Sequence, residues 1–164
     1  MKKGIKAFIV IIIVLAAVFA FLYFKMGRTW LANSNDVSIT YEKIENTVEL
    51  TFKAKKDGFL ISPHPLFIEK GEVRSDESGD IATVYEMKKN FINSILGRNS
   101  DENRKLRYEF KDENNLLTPE GKVRQLSEDD VLMLKFKNKT EYIKFKDLYK
   151  GDINSNIIEY KDKK

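Results

Sequence analysis

Residues Ala7 to Phe24, AFIVIIIVLAAVFAFLYF, form an unbroken run of 18 apolar side chains, and no other feature limits the fold as severely. As a helix rising 1.5 Å per residue, the run spans about 27 Å, close to the roughly 30 Å hydrocarbon core of a bilayer. The β-branched block Val10 to Val14 would favour a strand in water. In lipid, an isolated strand leaves its backbone N–H and C=O groups unpaired, whereas a helix satisfies them internally. Tyr23 and Trp30 stand near the outer end, where amphipathic aromatics favour the interface. A core helix of a soluble domain normally carries a polar face, and this run has none.

A cleaved secretory signal is the alternative reading. The positively charged start fits it, and Val18-Phe19-Ala20 offers a small-residue cleavage pattern. However, the apolar run exceeds the roughly 7–15 residues usual for a signal, and Phe21 to Phe24 continue beyond the site. The sequence therefore favours an uncleaved anchor over residues 1–26, with secretion after cleavage near Ala20 as the alternative. Lys2, Lys3, Lys6 and the α-amino group precede the run, while Lys25 and Arg28 follow it. The positive-inside rule then puts the N-terminus in the cytoplasm and the remaining chain outside, on a margin of one or two charges.

The formal charge of +4 belongs to these flanks. Five of the 29 basic residues and none of the 25 acids lie in residues 1–28, so the rest carries 24 basic against 25 acidic groups. A nucleic-acid binder needs a phosphate-facing basic excess, and the part beyond the anchor has none, so no nucleic-acid partner is expected. There is no cysteine, which removes disulfides, thiol nucleophiles and thiolate metal sites. The 136 residues after Arg28 must fold on a hydrophobic core alone, and about a third of them are apolar.

Gly27 to Asp36 reads as a polar connector. Period-two alternation follows at Val37, Ile39 and Tyr41, and again at Val48, Leu50 and Phe52. Lys55-Lys56-Asp57-Gly58 is turn chemistry, with Phe59 to Ile61 starting a returning strand. Pro63 and Pro65 interrupt any ladder, Leu66 to Ile68 is a short apolar run, and Gly71 to Asp80 reads as a polar loop. From Ile81 to Leu96 the apolar residues fall at helical spacing, with Asp80 as N-cap and Gly97 past the end. A strand over Ile81 to Met87, with the helix starting at Lys88, is the competing reading. Leu106, Tyr108 and Phe110 alternate again, Asp112 to Asn115 and Thr118 to Gly121 are turns, and Val131 to Phe136 with Tyr142 to Phe145 form a hairpin.

The expected fold is a single N-terminal transmembrane helix plus a small β-rich α+β domain over residues 37–160. It would be an antiparallel sheet or small sandwich of five to eight strands with one amphipathic helix, followed by a disordered tail at 161–164.

Candidate chemistry is sparse. His64, the one histidine, lies between Pro63 and Pro65 with no Gly-x-Ser-x-Gly or metal-ligand set to serve. Acids cluster at Asp76-Glu77, Asp101-Glu102, Asp112-Glu113 and Glu128-Asp129-Asp130, where turn and capping roles compete with glycoside-cleaving carboxylates or calcium loops. Phe52, Tyr108, Phe110, Phe136, Tyr142 and Phe145 read as core before ligand groove. The hairpin lysines Lys135, Lys137, Lys139, Lys144 and Lys146 suit edge protection, with anionic headgroups or wall polymers as the alternative. Asn138-Lys139-Thr140 resembles a glycosylation acceptor but reads more simply as the hairpin tip.

No catalytic, cofactor or metal site is assigned on these grounds. The expectation is a single-pass protein held in the bilayer by Ala7–Phe24. Its extracytoplasmic domain would be a non-enzymatic binding or accessory module for another envelope protein or wall polymer. An anchored hydrolase using loop carboxylates and a cleaved, secreted inhibitor or immunity protein are the alternatives.

Overall fold

A computed structural model describes residues 2–26, 28–62, 68–74, 77–95 and 104–161. Lys2–Met26 is one helix, α1, whose stretch Gly4–Leu22 is long and apolar enough to cross a membrane. None of that stretch is buried within the rest of the protein, so it is not a core helix of the domain.

The rest is β-rich. The strands are β1 Thr29–Leu31, β2 Val37–Ile44, β3 Thr47–Ala54, β4 Phe59–Ile61, β5 Ile68–Arg74, β6 Glu77–Thr83 and β7 Tyr85–Lys88. They continue as β8 Arg104–Asp112, β9 Asn115–Leu117, β10 Val123–Gln125, β11 Val131–Lys135, β12 Thr140–Lys144 and β13 Ile158–Tyr160. Among the described residues, two short helices, α2 Phe91–Ile95 and α3 Phe145–Lys150, complete the set with a 3-10 turn at Ser34–Asp36. The expected five to eight strands are exceeded because five of these are three-residue pieces, too short to show alternation.

A six-stranded sheet has the order β10-β9-β8-β3-β2-β13, a four-stranded sheet β12-β11-β6-β5, and a small sheet β1-β7-β4. Neighbours are antiparallel except for the parallel pairs β13–β2 and β11–β6. The alternation works as expected in the long strands: Val37, Ile39 and Tyr41, then Val48, Leu50 and Phe52, then Leu106, Tyr108 and Phe110 are buried. Register sets Ile39 opposite Phe52 and Leu50 opposite Leu106, so these side chains share a face. Leu132, Leu134, Ile143 and Ala82 of the four-stranded sheet complete the same core. Each large aliphatic or aromatic side chain buried there contributes about 1.5–3 kcal/mol.

The helix expected over Ile81 to Leu96 is largely strand, as the competing reading had it. Up to Thr83 the chain pairs with β11, and from Tyr85 it pairs with β1 and β4. Val84 is the crossing point between the two sheets. It is fully buried, its N–H donates to the Lys135 carbonyl (3.0 Å), and its own carbonyl accepts from the Ala32 N–H (3.0 Å). Asp80 is no helix cap but lies buried within β6. Helix remains only as α2, where Asn90 Oδ1 accepts from the Asn93 N–H (2.9 Å) as an N-cap does. Leu96 and Gly97 lie outside the described residues.

Other expectations need correction. The polar loop Gly71 to Asp80 is instead most of the β5–β6 hairpin, whose backbone pairing, with Gly71 opposite Gly79, needs no apolar alternation. β4 does not return onto β3 but pairs with β7. The connector 27–36 contains β1 and the buried Ala32 and Ser34. Ser34 is held by the hairpin tip: its N–H donates to Asn138 Oδ1 (2.9 Å), and Asn138 Nδ2 donates to its hydroxyl (3.0 Å).

Beyond β12 the chain wraps onto β2 through β13, and Phe145, expected to end the hairpin strand, instead begins α3. Phe145 and Leu148 anchor α3 in the core. The helix ends at Gly151, whose φ of +72° a side chain would strain; an added Cβ would also meet the Tyr41 hydroxyl at 3.2 Å. That hydroxyl donates to the Leu148 carbonyl (2.8 Å), and the Tyr41 ring meets Tyr160 edge-on. The Lys161 N–H donates to the Tyr41 carbonyl, so the first residue of the expected tail is tied down, while 162–164 lie outside the described residues.

Burial, followed by the neighbouring Tyr160, pushes the Tyr41 phenol up from 10.0 to about 12. A raised folded-state value binds the proton more tightly in the native protein. Its stabilising effect is complete below about pH 10 and is lost as pH climbs through about 12. Tyr41→Phe should cost about 1 kcal/mol at neutral pH through the lost hydrogen bond. It should also show a shallower alkaline loss than the unaltered chain, as measured by urea unfolding of the detergent-solubilised protein across that window.

Candidate functional site

The Lys55–Gly58 turn separates β3 from β4, and Gly58 takes the positive φ (+75°) that its position demands. β4 then runs along β7 and not along β3, which leaves a cleft of about 370 Å³ between them. Phe59, Leu60 and Ile61 give it an apolar side, and Lys53, Lys56 and Lys89 give it a cationic rim opposed by Asp57. Its size is at the lower end for small-ligand sites.

Lys56 is committed within the protein. Its ammonium stands 2.5 Å from Asp36 and 3.9 Å from Glu86, and 5.6 Å over the Phe59 ring. The Lys56 hydrogen bond holds Asp36 below the usual carboxylate range, and the same bond raises Lys56. Glu86 is pushed up by burial, against the pull of Lys56, and its Oε2 is buried with no hydrogen bond. Among the described residues, the lining includes no hydroxyl or imidazole side chain. Chemically, the cleft can receive a group with an apolar part against Phe59 and Ile61 and a negative or hydrogen-bonding part near Lys53 and Lys89.

A second charged cluster lies inside the fold. Arg124 of β10 donates to Asp80 of β6 (2.7 Å) and stands 3.7 Å from Asp130, so it ties the six-stranded sheet to the four-stranded one. Asp130 also accepts from the Ser127 N–H (2.9 Å), and its carbonyl accepts from the Phe145 N–H. The guanidinium lies 5.5 Å from the Phe145 ring centroid, and Tyr108 packs edge-on to that ring. Burial first, and then the Asp80 charge, drives the Tyr108 phenol well above its ordinary range. This cluster holds the two sheets together.

His64 and the acids Asp76, Asp101 and Glu102 lie outside the described residues. The other acids are dispersed. Asp112 accepts from Asn114 and Asn115 within its turn, Glu113 pairs with Lys150 (2.7 Å), Glu128 with Lys146 (3.3 Å) and Asp129 with Lys144 (3.6 Å). Among the described residues, no three acids or histidines converge as a metal site would require. Phe52, Tyr108, Phe110, Phe136 and Phe145 are buried in the core, whereas Tyr142 is 41% exposed. Of the hairpin lysines only Lys144 lies on the edge strand β12; Lys135 ends β11, Lys137 and Lys139 lie in the turn, where Lys139 pairs with Glu141 (2.5 Å), and Lys146 lies in α3. Sequence reasoning missed the Lys56–Asp36–Glu86 and Arg124–Asp80–Asp130 groupings. Their members come from separate elements, Arg124 and Asp80 being 44 positions apart, so no local spacing could announce them.

Comparison with protein-family models, curated proteins and solved structures finds no match.

Removing Arg124 strands two buried carboxylates. Arg124→Met should cost about 3–5 kcal/mol in urea unfolding of the detergent-solubilised chain. Adding Asp80→Asn should restore part of that loss, because one of the two uncompensated charges disappears.

Proposed function

We propose that the chain is a single-pass membrane protein in which α1 is retained as an anchor. The N-terminus is cytoplasmic, and the β-rich domain is a non-enzymatic binding or accessory module for another envelope component. The observation that carries this reading is the apolar surface of Gly4–Leu22, none of which is buried within the protein and which a bilayer would cover. Retention is supported by the helix itself, which continues without a break through Val18-Phe19-Ala20 to Met26. The lysine flank before the helix supports the orientation.

A binding role draws support from the cleft beside β4, which offers an apolar side and a cationic rim. A wall polymer or an acidic segment of an envelope protein has the complementary chemistry. The rival hydrolase would rest on loop carboxylates, and those described are engaged by lysines, by Arg124 or within turns.

A photoreactive residue at Leu60 of the full chain in cells should yield a discrete adduct with an envelope component. The double charge reversal Lys53→Glu/Lys89→Glu should reduce that adduct about tenfold or more. Absence of any adduct, or one indifferent to the reversal, would count against the cleft as the binding site. Loss of cellular function on replacing Asp112, Glu113, Glu128 and Asp129 by alanine, with folding intact, would favour the hydrolase instead.

A further inference from the structure

Only residues 27 and 28 lie between Met26, the end of α1, and Thr29, the start of β1. The register of the small sheet therefore fixes what else lies near the end of α1. Thr29 is opposite Met87, so the chain leaving β7 emerges on the side where α1 joins the domain. Lys88 and Lys89 follow there, both exposed, and α2 comes next. Consistent with this, α2 lies against α1, and Leu22 is the least exposed residue of Gly4–Leu22.

The short helix itself has an unusual surface for a water-facing element. Phe91 is 77% exposed and Ile95 64% exposed, four positions apart and hence on one helical face. Trp30 in β1 is 41% exposed. Arg28, two positions before Trp30, and Lys88 and Lys89, just before α2, are exposed and add positive charge beside these residues. Apolar and aromatic side chains fringed by cations are what a segment at the boundary between headgroups and acyl chains presents, and the cations complement anionic headgroups.

We propose that α2 and the membrane-proximal end of the small sheet form a foot that rests on the bilayer surface. Phe91, Ile95 and Trp30 enter the interfacial layer, and Arg28, Lys88 and Lys89 meet anionic lipid headgroups. This rests on the reading of α1 as a retained anchor and adds that the domain is docked on the membrane in one orientation. The same register sets Phe59 opposite Lys88, and the Lys89 N–H donates to the Gly58 carbonyl, so the cleft opens close to that surface.

The chain contains no cysteine, so Ser94→Cys, on the exposed side of α2, accepts a single environment-sensitive fluorophore. Lys122→Cys, in the turn between β9 and β10, provides the control outside the small sheet. The full chain is reconstituted in vesicles of phosphatidylcholine and phosphatidylglycerol, and quenching by lipids brominated near the headgroup is measured after flotation. Quenching at position 94 should exceed that at 122 by about threefold or more. Lys88→Glu/Lys89→Glu/Phe91→Asp should abolish the excess without changing flotation. Equal, weak quenching at both positions in floating protein would overturn the foot and leave the anchor standing. Failure to float would overturn the anchor reading and the foot with it.

Discussion

Two residues separate the last turn of α1 from a strand already locked into the domain, and the arrangement of the protein depends on that shortness. Two residues reach at most about 7 Å even when extended. β1 has little freedom to fray, because it pairs with β7 along its whole length. Immediately beyond it, the Ala32 N–H donates to the Val84 carbonyl, and the Ala32 carbonyl accepts from the Lys137 N–H. The end of α1 is therefore held within the reach of residues 27 and 28 from a strand that the rest of the fold fixes in place. A long polar tether would have let the domain drift much farther from the end of α1.

The domain that meets this connection is held by two kinds of force. Apolar burial between the six- and four-stranded sheets supplies the bulk of the stability, through side chains such as Phe52, Phe110, Leu132 and Leu134. The Arg124–Asp80–Asp130 cluster acts differently. A buried ion pair adds little net stability over well-packed apolar groups, yet it penalises any arrangement that separates its members. Asp80 lies opposite Leu132 on β11, so the charge sits among the residues that build the core. The cluster is thus placed to fix the register of one sheet against the other.

The long strands were legible because one face of each is buried and the opposite face is wetter. Val37 to Tyr41, Val48 to Phe52 and Leu106 to Phe110 carry that contrast in every second residue. The stretch 77–88 was not, because it changes sheets at Val84. Past that crossing Glu86 and Met87 are buried consecutively, so alternation fails, and Ile81, Val84 and Tyr85 happen to match helical spacing. The three-residue strands β1, β4 and β13 offer too few positions for any period, and their partners β7 and β2 are chosen by nonlocal pairing. The cleft was hidden for the same reason: its turn was readable at Asp57-Gly58, but the departure of β4 toward β7 was not. Of the chemistry, the turn role of Asp112 was legible, whereas the lysine partners of Glu113, Glu128 and Asp129 and the Lys56 and Arg124 groupings require the fold.

The anchor is the claim on which the functional reading stands, and protease accessibility after membrane fractionation tests it most directly. Membranes from cells making the full chain are washed with alkaline carbonate, and intact cells with a permeable outer surface are treated with protease. Retention of the unshortened chain in the washed membranes, with the β-rich domain removed by external protease, is the expected result. Recovery of a soluble chain beginning near Phe21, or a domain cut only after the membrane is breached, would contradict it.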